Sequence, residues 1–155
     1  MDLIEMLKRY QNRILDCGIL IEYSLFFNKE NKDYCKFAID EENELDELNN
    51  IILRLREKDI TAEIYVNTYD INFTEENMFI YADTLWVNSI LDVKEICSLF
   101  RCFQNVEPSD IMSLDEDETI DGEMALVVST ESIVEDYRLF IEKRQLNLIK
   151  SLYWD

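Results

Sequence analysis

The sequence has no histidine, only two glycines and one proline. Without histidine the chain cannot build a Ser-His-Asp or Cys-His catalytic centre, a histidine metal site or an imidazole pH switch. Gly18 and Gly122 belong to no GxGxxG, GxxxxGK[ST] or GxSxG pattern, so the standard phosphate loops and the nucleophile elbow are excluded. We therefore expect a protein that is not an enzyme and that holds no cofactor or metal.

Basic residues are also scarce: 15 Lys and Arg face 34 Asp and Glu, which gives a net charge of −19. Residues 59–137 hold 19 acids and two bases, Lys94 and Arg101. This balance excludes nucleic-acid binding through phosphates, because that mode needs clustered Lys and Arg. Charge of one sign repels itself in a compact fold. Its concentration here favours recruitment of a basic partner, with a generic solubilising surface as the alternative.

Four cysteines are present, and no two of them form a CxxC pair. The zinc-site spacings are not met. No run of 18 apolar residues occurs, and Met1 to Glu5 carry acids where a secretory signal would carry bases. We expect a cytoplasmic protein whose thiols are reduced and packed as small hydrophobic groups. The cysteines are Cys17, Cys35, Cys97 and Cys102.

The length of 155 residues predicts a single domain over 1–155. Helices alternate with strands and hairpins, so we predict an α+β fold, a single layered domain with a mixed or mainly antiparallel sheet and helices packed on it. The final helix should cover about twenty residues after Thr130 or Ser132. The other predicted helices are 2–17, 41–58 and about 89–103, and the predicted strands are 19–27, 34–39, 60–67, 78–87 and 124–129.

Several local signals refine these elements. Gly18 should end the first helix in the left-handed conformation, and Asp40 should cap the second. Ser89, with Asp92 three residues later, resembles the start of a helix. Strands 19–27 and 34–39 should form a hairpin. Strict alternation in 78–87 puts Met78, Ile80, Ala82, Thr84 and Trp86 on one face; both faces are apolar, so Trp86 should be core and Asp83 needs a partner or an open end.

The segment 104–122 has a weak pattern and reads as a long loop. Residues 107–123 hold eight carboxylates and no base. The EF-hand template fails, because Ile120 and Leu126 occupy the positions of its Gly and final Glu. We favour a docking surface for Lys and Arg of a partner; a solvated loop without a role and a calcium site of another type remain alternatives. The carboxylates are Glu107, Asp110, Asp115, Glu116, Asp117, Glu118, Asp121 and Glu123.

A second candidate region places aromatic residues beside acids on the strand pair 60–87. Tyr and Trp are common interface anchors, and acids around them would add specificity. The partner-binding residues predicted in this region are Tyr69, Asp70, Glu75, Glu76 and Asp83.

A small, acidic, single-domain α+β chain without catalytic motifs resembles the immunity proteins of bacterial toxin systems, including contact-dependent growth inhibition and polymorphic toxins. The run Tyr81–Asn88, followed by a helix and Glu107–Ile111, looks like the strand–helix–Pro-Ser-Asp run of some members and covers about a fifth of the chain. The resemblance implies tight one-to-one binding to a cognate toxin domain, often a basic nuclease, that blocks its active site or substrate channel. It carries over no particular fold and no residue roles.

Two alternatives use the same acidity. A phage-type nucleic-acid mimic, such as an anti-restriction or anti-CRISPR inhibitor, should space carboxylates regularly along an elongated surface. An immunity protein should present one compact acidic patch with aromatic anchors. The sequence favours the immunity protein over the mimic, because the acids cluster next to Tyr- and Trp-bearing segments. An acidic adaptor subunit is the third possibility.

Overall fold

One sheet of eight strands runs through the computed structural model, which describes residues 3–14, 17–72, 78–114, 124–130 and 133–155. The strands are β1 (Gly18–Glu22), β2 (Cys35–Phe37), β3 (Glu63–Asn72), β4 (Phe79–Asn88), β5 (Asp110–Ser113), β6 (Met124–Ser129), β7 (Ile133–Asp136) and β8 (Ile149–Tyr153). Their order is β5-β8-β4-β3-β1-β6-β7, and β2 pairs with β4 beyond the end of β8. The pairs β1–β6 and β2–β4 are parallel and the others in this sheet are antiparallel. The prediction of a mixed, mainly antiparallel α+β fold is confirmed.

Helices cover both faces of this sheet. The main core lies on one face and includes apolar residues of the first five helices, whereas a second cluster lies on the other face beneath the sixth. Trp86 is only 2% exposed in that second cluster, as predicted for a core residue. Within the described ranges, no helix has the length and apolar character needed to span a bilayer. The helices are α1 (Leu3–Arg9), α2 (Gln11–Ile14), α3 (Tyr23–Phe26), α4 (Glu42–Lys58), α5 (Val93–Leu99) and α6 (Tyr137–Glu142).

The best-predicted helix is α4, whose apolar residues recur every three to four positions and are buried at Leu48, Ile51, Ile52 and Leu55. Its predicted cap is wrong. The helix begins after Glu41, whose side chain makes no capping hydrogen bond, so Asp40 does not cap it. The helix predicted from Ser89 begins instead at Val93, where Asp92 and Glu95 form a capping box.

The predicted hairpin of 19–27 with 34–39 is also wrong. β1 ends at Glu22, and the next four residues form α3, which buries Tyr23 and Phe26. A continuous apolar run is compatible with either a strand or a helical turn, so the sequence pattern did not separate them. The returning strand β2 is only three residues long and pairs with β4 in parallel rather than with β1.

The C-terminal region departs most from prediction. A helix of about twenty residues was expected after Thr130, but residues 133–153 form β7, α6, a short 3-10 turn and β8. β8 lies between β4 and β5, and part of the predicted 104–122 loop becomes β5 because it pairs with β8. Trp154 is buried in the main core, where it contacts Phe37 and Phe100 and donates to the carbonyl of Val106 at 2.9 Å.

Gly18 serves a close approach between strands rather than a helix end. It is the first residue of β1, its φ lies outside the left-handed region, and a Cβ there would come closer than 3.0 Å to the Thr68 carbonyl oxygen and to Met124. The Thr68 hydroxyl accepts from the Ile19 N–H at 2.9 Å and donates to the Ile19 carbonyl at 2.8 Å. The expected C-cap is therefore corrected: β1 needs glycine because β3 lies against it.

We expect Gly18→Ala to destabilise the fold by about 1–3 kcal/mol, the usual cost of overpacking. A urea unfolding curve measures this loss. Because the Thr68 carbonyl is backbone and cannot rotate away, the loss should persist in a Met124→Ala background, which removes only the side-chain part of the clash. Full recovery in the double variant would contradict this account.

A buried carboxylate joins the end of α4 to the loop after β4. Asp59 is 3% exposed and accepts from the Thr61 N–H (3.0 Å) and hydroxyl (2.6 Å), the Ser89 hydroxyl (2.7 Å) and the Ile90 N–H (2.9 Å). Burial alone would raise the pKa of Asp59, but these hydrogen bonds outweigh it and lower the pKa to about 2. The buried Lys150 ammonium extends the cluster by donating to the Ser89 carbonyl at 2.5 Å.

The depressed pKa makes the stability that Asp59 supplies dependent on pH. Its folded pKa of about 2 lies below the ordinary 3.8, so this stability is present above about pH 4 and is lost as the pH falls towards 2. Asp59→Asn should cost about 2 kcal/mol at pH 7. The gap between wild type and variant should narrow in urea unfolding curves taken at decreasing pH. A gap that is constant from pH 7 to pH 3 would contradict the assignment.

Candidate functional site

The strand β4 carries an extra residue near its middle. Leu85 and Ala82 are both buried in the main core although they are three positions apart, and Asp83 and Thr84 lie opposite the single residue Asn67. A bulge of this kind places two residues against one and turns the strand locally. The bulge gives Asp83 the partner that its position in an apolar strand required, since the Thr84 hydroxyl donates to its carboxylate at 2.8 Å.

A matching bulge follows on β3. Thr68 and Ile71 both lie on the main-core side, again three positions apart, and between them Tyr69 and Asp70 lie opposite the single residue Tyr81. Because each strand has one extra residue, the original pairing register of the two strands is restored after the bulges. The apolar residues of both strands therefore continue to meet beyond the bulges.

These bulges overturn the predicted faces of 78–87. Strict alternation put Ile80 and Ala82 on the same face as Trp86, but the main core contains Ile80, Ala82, Leu85 and Val87, whereas Trp86 lies in the cluster on the other face. The alternation holds on each side of the bulge and reverses across it. Polar residues at 83 and 84, between apolar Ala82 and Leu85, are the sequence signal that would have located it.

The bulges and two further strands bring together a set of tyrosines and aspartates on the face opposite the main core. β8 places Tyr153 beside Thr84, and β5 places Asp110 beside Tyr153. Tyr69 is 66% exposed and Tyr153 is 39% exposed. We call this set the tyrosine–aspartate surface; its members are Tyr69, Asp70, Tyr81, Asp83, Asp110 and Tyr153.

Interactions within the tyrosine–aspartate surface link Tyr69, Tyr81, Asp83 and Tyr153. The rings of Tyr69 and Tyr81 meet edge to face with centroids 5.3 Å apart. Burial, and then the charge of Asp83, raise the pKa of the Tyr81 hydroxyl. Asp155 is the main cause that raises the pKa of Tyr153, followed by burial and Asp83. The hydroxyls of Tyr81 and Tyr153 therefore stay protonated and can donate hydrogen bonds at neutral pH.

Three of the predicted partner-binding carboxylates, Asp70, Asp83 and Asp110, belong to this surface, together with the predicted Tyr69. Glu107 lies at its border, where it and Asp110 line a cavity of about 230 Å³ between α5 and β5. Tyr153 was missed, because the sequence pattern assigned the C-terminal region to a helix. The remaining predicted residues lie outside the described residues: Glu75, Glu76, Asp115, Glu116, Asp117, Glu118, Asp121 and Glu123.

Among the described residues, no basic side chain forms an ion pair with the carboxylates of this surface. The ion pairs between described residues are Arg13–Asp136, Lys143–Glu135 and Arg144–Glu63, and none of them includes Asp70, Asp83 or Asp110. Lys36 of β2 lies beside Tyr81 and marks one border of the surface. In the described part of the chain, no group of three or more Cys, Asp or Glu side chains is arranged to hold a metal ion. The surface therefore presents carboxylate oxygens as hydrogen-bond acceptors beside tyrosine hydroxyls.

Comparisons with known proteins add no identity to this geometry: no family model, curated protein or solved structure gives a significant match.

The cysteines differ from the expectation of packed thiols. All four are free, but Cys17, Cys97 and Cys102 are exposed. Cys35 is half-buried, and burial raises the pKa of its thiol to about 12. Since the thiolate is the nucleophile, Cys35 should be the least reactive of the four.

We expect a neutral maleimide at pH 7 to modify three thiols of the folded protein rapidly and Cys35 slowly. Intact-mass spectrometry over time counts the modified thiols, and peptide mapping locates them. Addition of urea should remove the difference, because unfolding exposes Cys35 and restores its ordinary pKa. Four equal rates in the folded protein would show that Cys35 is accessible.

Proposed function

We propose that the protein is a non-catalytic inhibitor that binds a basic protein partner through the tyrosine–aspartate surface, as immunity proteins bind their toxins. The observation that carries this proposal is that Asp70, Asp83 and Asp110 form no ion pair with any described residue and lie beside exposed tyrosines. Guanidinium and ammonium groups of a partner can pair with these carboxylates in charge-assisted hydrogen bonds. Three like charges on one face repel one another, and a cationic partner would relieve that repulsion.

The tyrosines support a protein partner in particular. A tyrosine offers a large, rigid contact area with a polar tip, which is why it is frequent at the energetic centre of interfaces. The contact between the rings of Tyr69 and Tyr81 restricts both side chains before binding. Restriction of this kind lowers the entropy that binding must remove.

The class of partner rests on charge and on resemblance. A nuclease carries positive charge where it binds phosphates, so an acidic surface is complementary to its active site or substrate channel. The charge of −19 would also steer such a partner towards the complex and speed association more than it strengthens the final contact. The resemblance of the sequence to immunity proteins adds the expectation that this partner is a toxin domain.

The shape of the surface favours this class over a nucleic-acid mimic. Its residues come from the neighbouring strands β5, β8, β4 and β3, so it is about 14 Å wide at the usual spacing of strands. That is a compact patch with aromatic anchors rather than an extended row of carboxylates. An acidic adaptor would share the charge but would not need to block a partner's activity.

We expect the triple variant Asp70→Asn/Asp83→Asn/Asp110→Asn to slow association with the basic partner about tenfold at low salt and to flatten its salt dependence. Tyr69→Ala and Tyr153→Ala should instead raise the dissociation rate. The partner is first recovered with the tagged protein as bait, washed at roughly physiological salt and then at about 1 M salt. Surface plasmon resonance with the purified partner then gives both rates, and an activity assay of the partner tests inhibition.

A matched control removes the same three charges from exposed acids elsewhere: Asp33→Asn/Asp46→Asn/Glu57→Gln. This control should retain nearly all of the wild-type association rate. If both triple variants lose association equally, only the net charge matters and the surface is not the interface. Recovery of many DNA-binding proteins that all dissociate at 1 M salt would favour the mimic.

A further inference from the structure

A cavity lined by lysines contrasts with the negative charge of the rest of the molecule. The cavity, of about 210 Å³, lies between the segment that follows α3 and the first turn of α4, next to β2. Its apolar wall contains Phe26, Phe27 and Phe37, whose ring centroids lie 5.0 to 6.4 Å apart in edge-to-face pairs. Phe26 is 1% and Phe37 is 5% exposed, so these two rings are held by the core.

Three exposed lysines also line this cavity: Lys29, Lys32 and Lys36. They fall within eight positions of a chain that has only 15 bases in all. None of them takes part in an ion pair between described residues. The one carboxylate of the lining is Asp40, so the described lining carries an excess of two positive charges.

The turn that carries these lysines is fixed by its own polar contacts. The Asn28 side chain accepts from the Glu30 N–H at 2.9 Å and caps the turn. Asn31 is buried, and its amide donates to the Leu25 carbonyl at 2.8 Å. The Lys36 ammonium donates to the carbonyl of Lys32 at 3.2 Å. The backbone of the turn and the Lys36 ammonium are therefore arranged before any ligand arrives.

We propose that this cavity binds a small organic anion with an apolar body, which places its body against the phenylalanine rings and its acid group among the three lysines. Mostly apolar walls with a few polar groups at the mouth are typical of small-molecule sites. The volume exceeds the roughly 150 Å³ of an engineered cavity that binds benzene and is smaller than the roughly 300–1,000 Å³ of drug-sized sites. A single ring with a short acidic substituent fits between these limits. This site is independent of the proposed inhibitory function.

The net charge of the protein makes a preference for anions diagnostic of this site. A chain with a charge of −19 repels anions and attracts cations on average. Preference for an anion over its neutral counterpart can therefore come only from a local cationic site. Phenylacetate, its neutral amide and the cation phenethylamine have the same ring and similar size. Comparing them separates the effect of the local cationic site from that of the protein's net charge.

The test is a titration of the ¹⁵N-labelled protein with each of the three compounds, followed by amide chemical shifts. Phenylacetate should shift the amides of Phe27, Lys32 and Phe37 and bind about tenfold more tightly than the amide, as expected for several exposed charge pairs. Added salt should reduce this preference. The variant Lys29→Gln/Lys32→Gln/Lys36→Gln should lose the preference and keep the weak binding of the amide.

The matched control Lys8→Gln/Lys58→Gln/Lys94→Gln removes three exposed lysines that do not line the cavity and gives the same change in net charge. It should retain the preference. The proposal is overturned if phenylacetate binds no better than its amide, if both triple variants lose the preference equally, or if the shifts lie elsewhere. A second readout uses Cys35, which lines the cavity: phenylacetate should slow its reaction with maleimide and leave Cys17 unaffected.

Discussion

The paired bulges of β3 and β4 are the constraint on which the rest of the sheet depends. A shift of one residue would move every later side chain of a strand to the other face. With one extra residue on each strand, Val66 meets Leu85 before the bulges and Ile71 meets Ile80 after them, all on the main-core side. The core is continuous across both bulges, and the unpaired extra residues are free to face water. Tyr69 and Asp70 are exposed and Asp83 is half-buried because of this arrangement.

Elements whose own apolar pattern determines their structure were predictable from the sequence. α4 has a clear helical period, and β6 is a short apolar run between polar segments, so both match their predicted ranges closely. The C-terminal region was not predictable in this way. Tyr137, Phe140 and Ile141 do have helical spacing and do form α6, but β8 follows because its backbone groups pair with β4 and β5, far away in sequence. A pattern within one segment cannot report such partners.

The tyrosine–aspartate surface and the lysine-lined cavity also depend partly on local sequence patterns and partly on contacts between distant segments. The structure places Asp70, Asp83 and Asp110 on the tyrosine–aspartate surface. The sequence predicts these three as partner-binding residues from the abundance of acids in 59–137. It does not show that Tyr153 completes that surface, because this depends on the register of β8. The lysines at positions 29, 32 and 36 gave no signal in the sequence, because their cavity depends on β2 bringing Phe37 against Phe26 and Phe27. Lys36 and Tyr81 are neighbours, so the anionic and cationic surfaces meet along one strand pair.

The position of β8 also sets the order in which the molecule can assemble. β4 precedes β8 by about sixty residues, yet β8 covers the β4 edge along residues 84–88 and is the strand that pairs with β5 among those described. During synthesis from the N-terminus, both strands therefore expose open hydrogen-bonding groups until the last strand emerges. Such edges invite pairing with other chains, and the distant contacts that close them make folding slow. Acidic side chains on these strands, Asp83 and Asp110, give nascent chains like charges at the open edges, which opposes association between copies before β8 arrives.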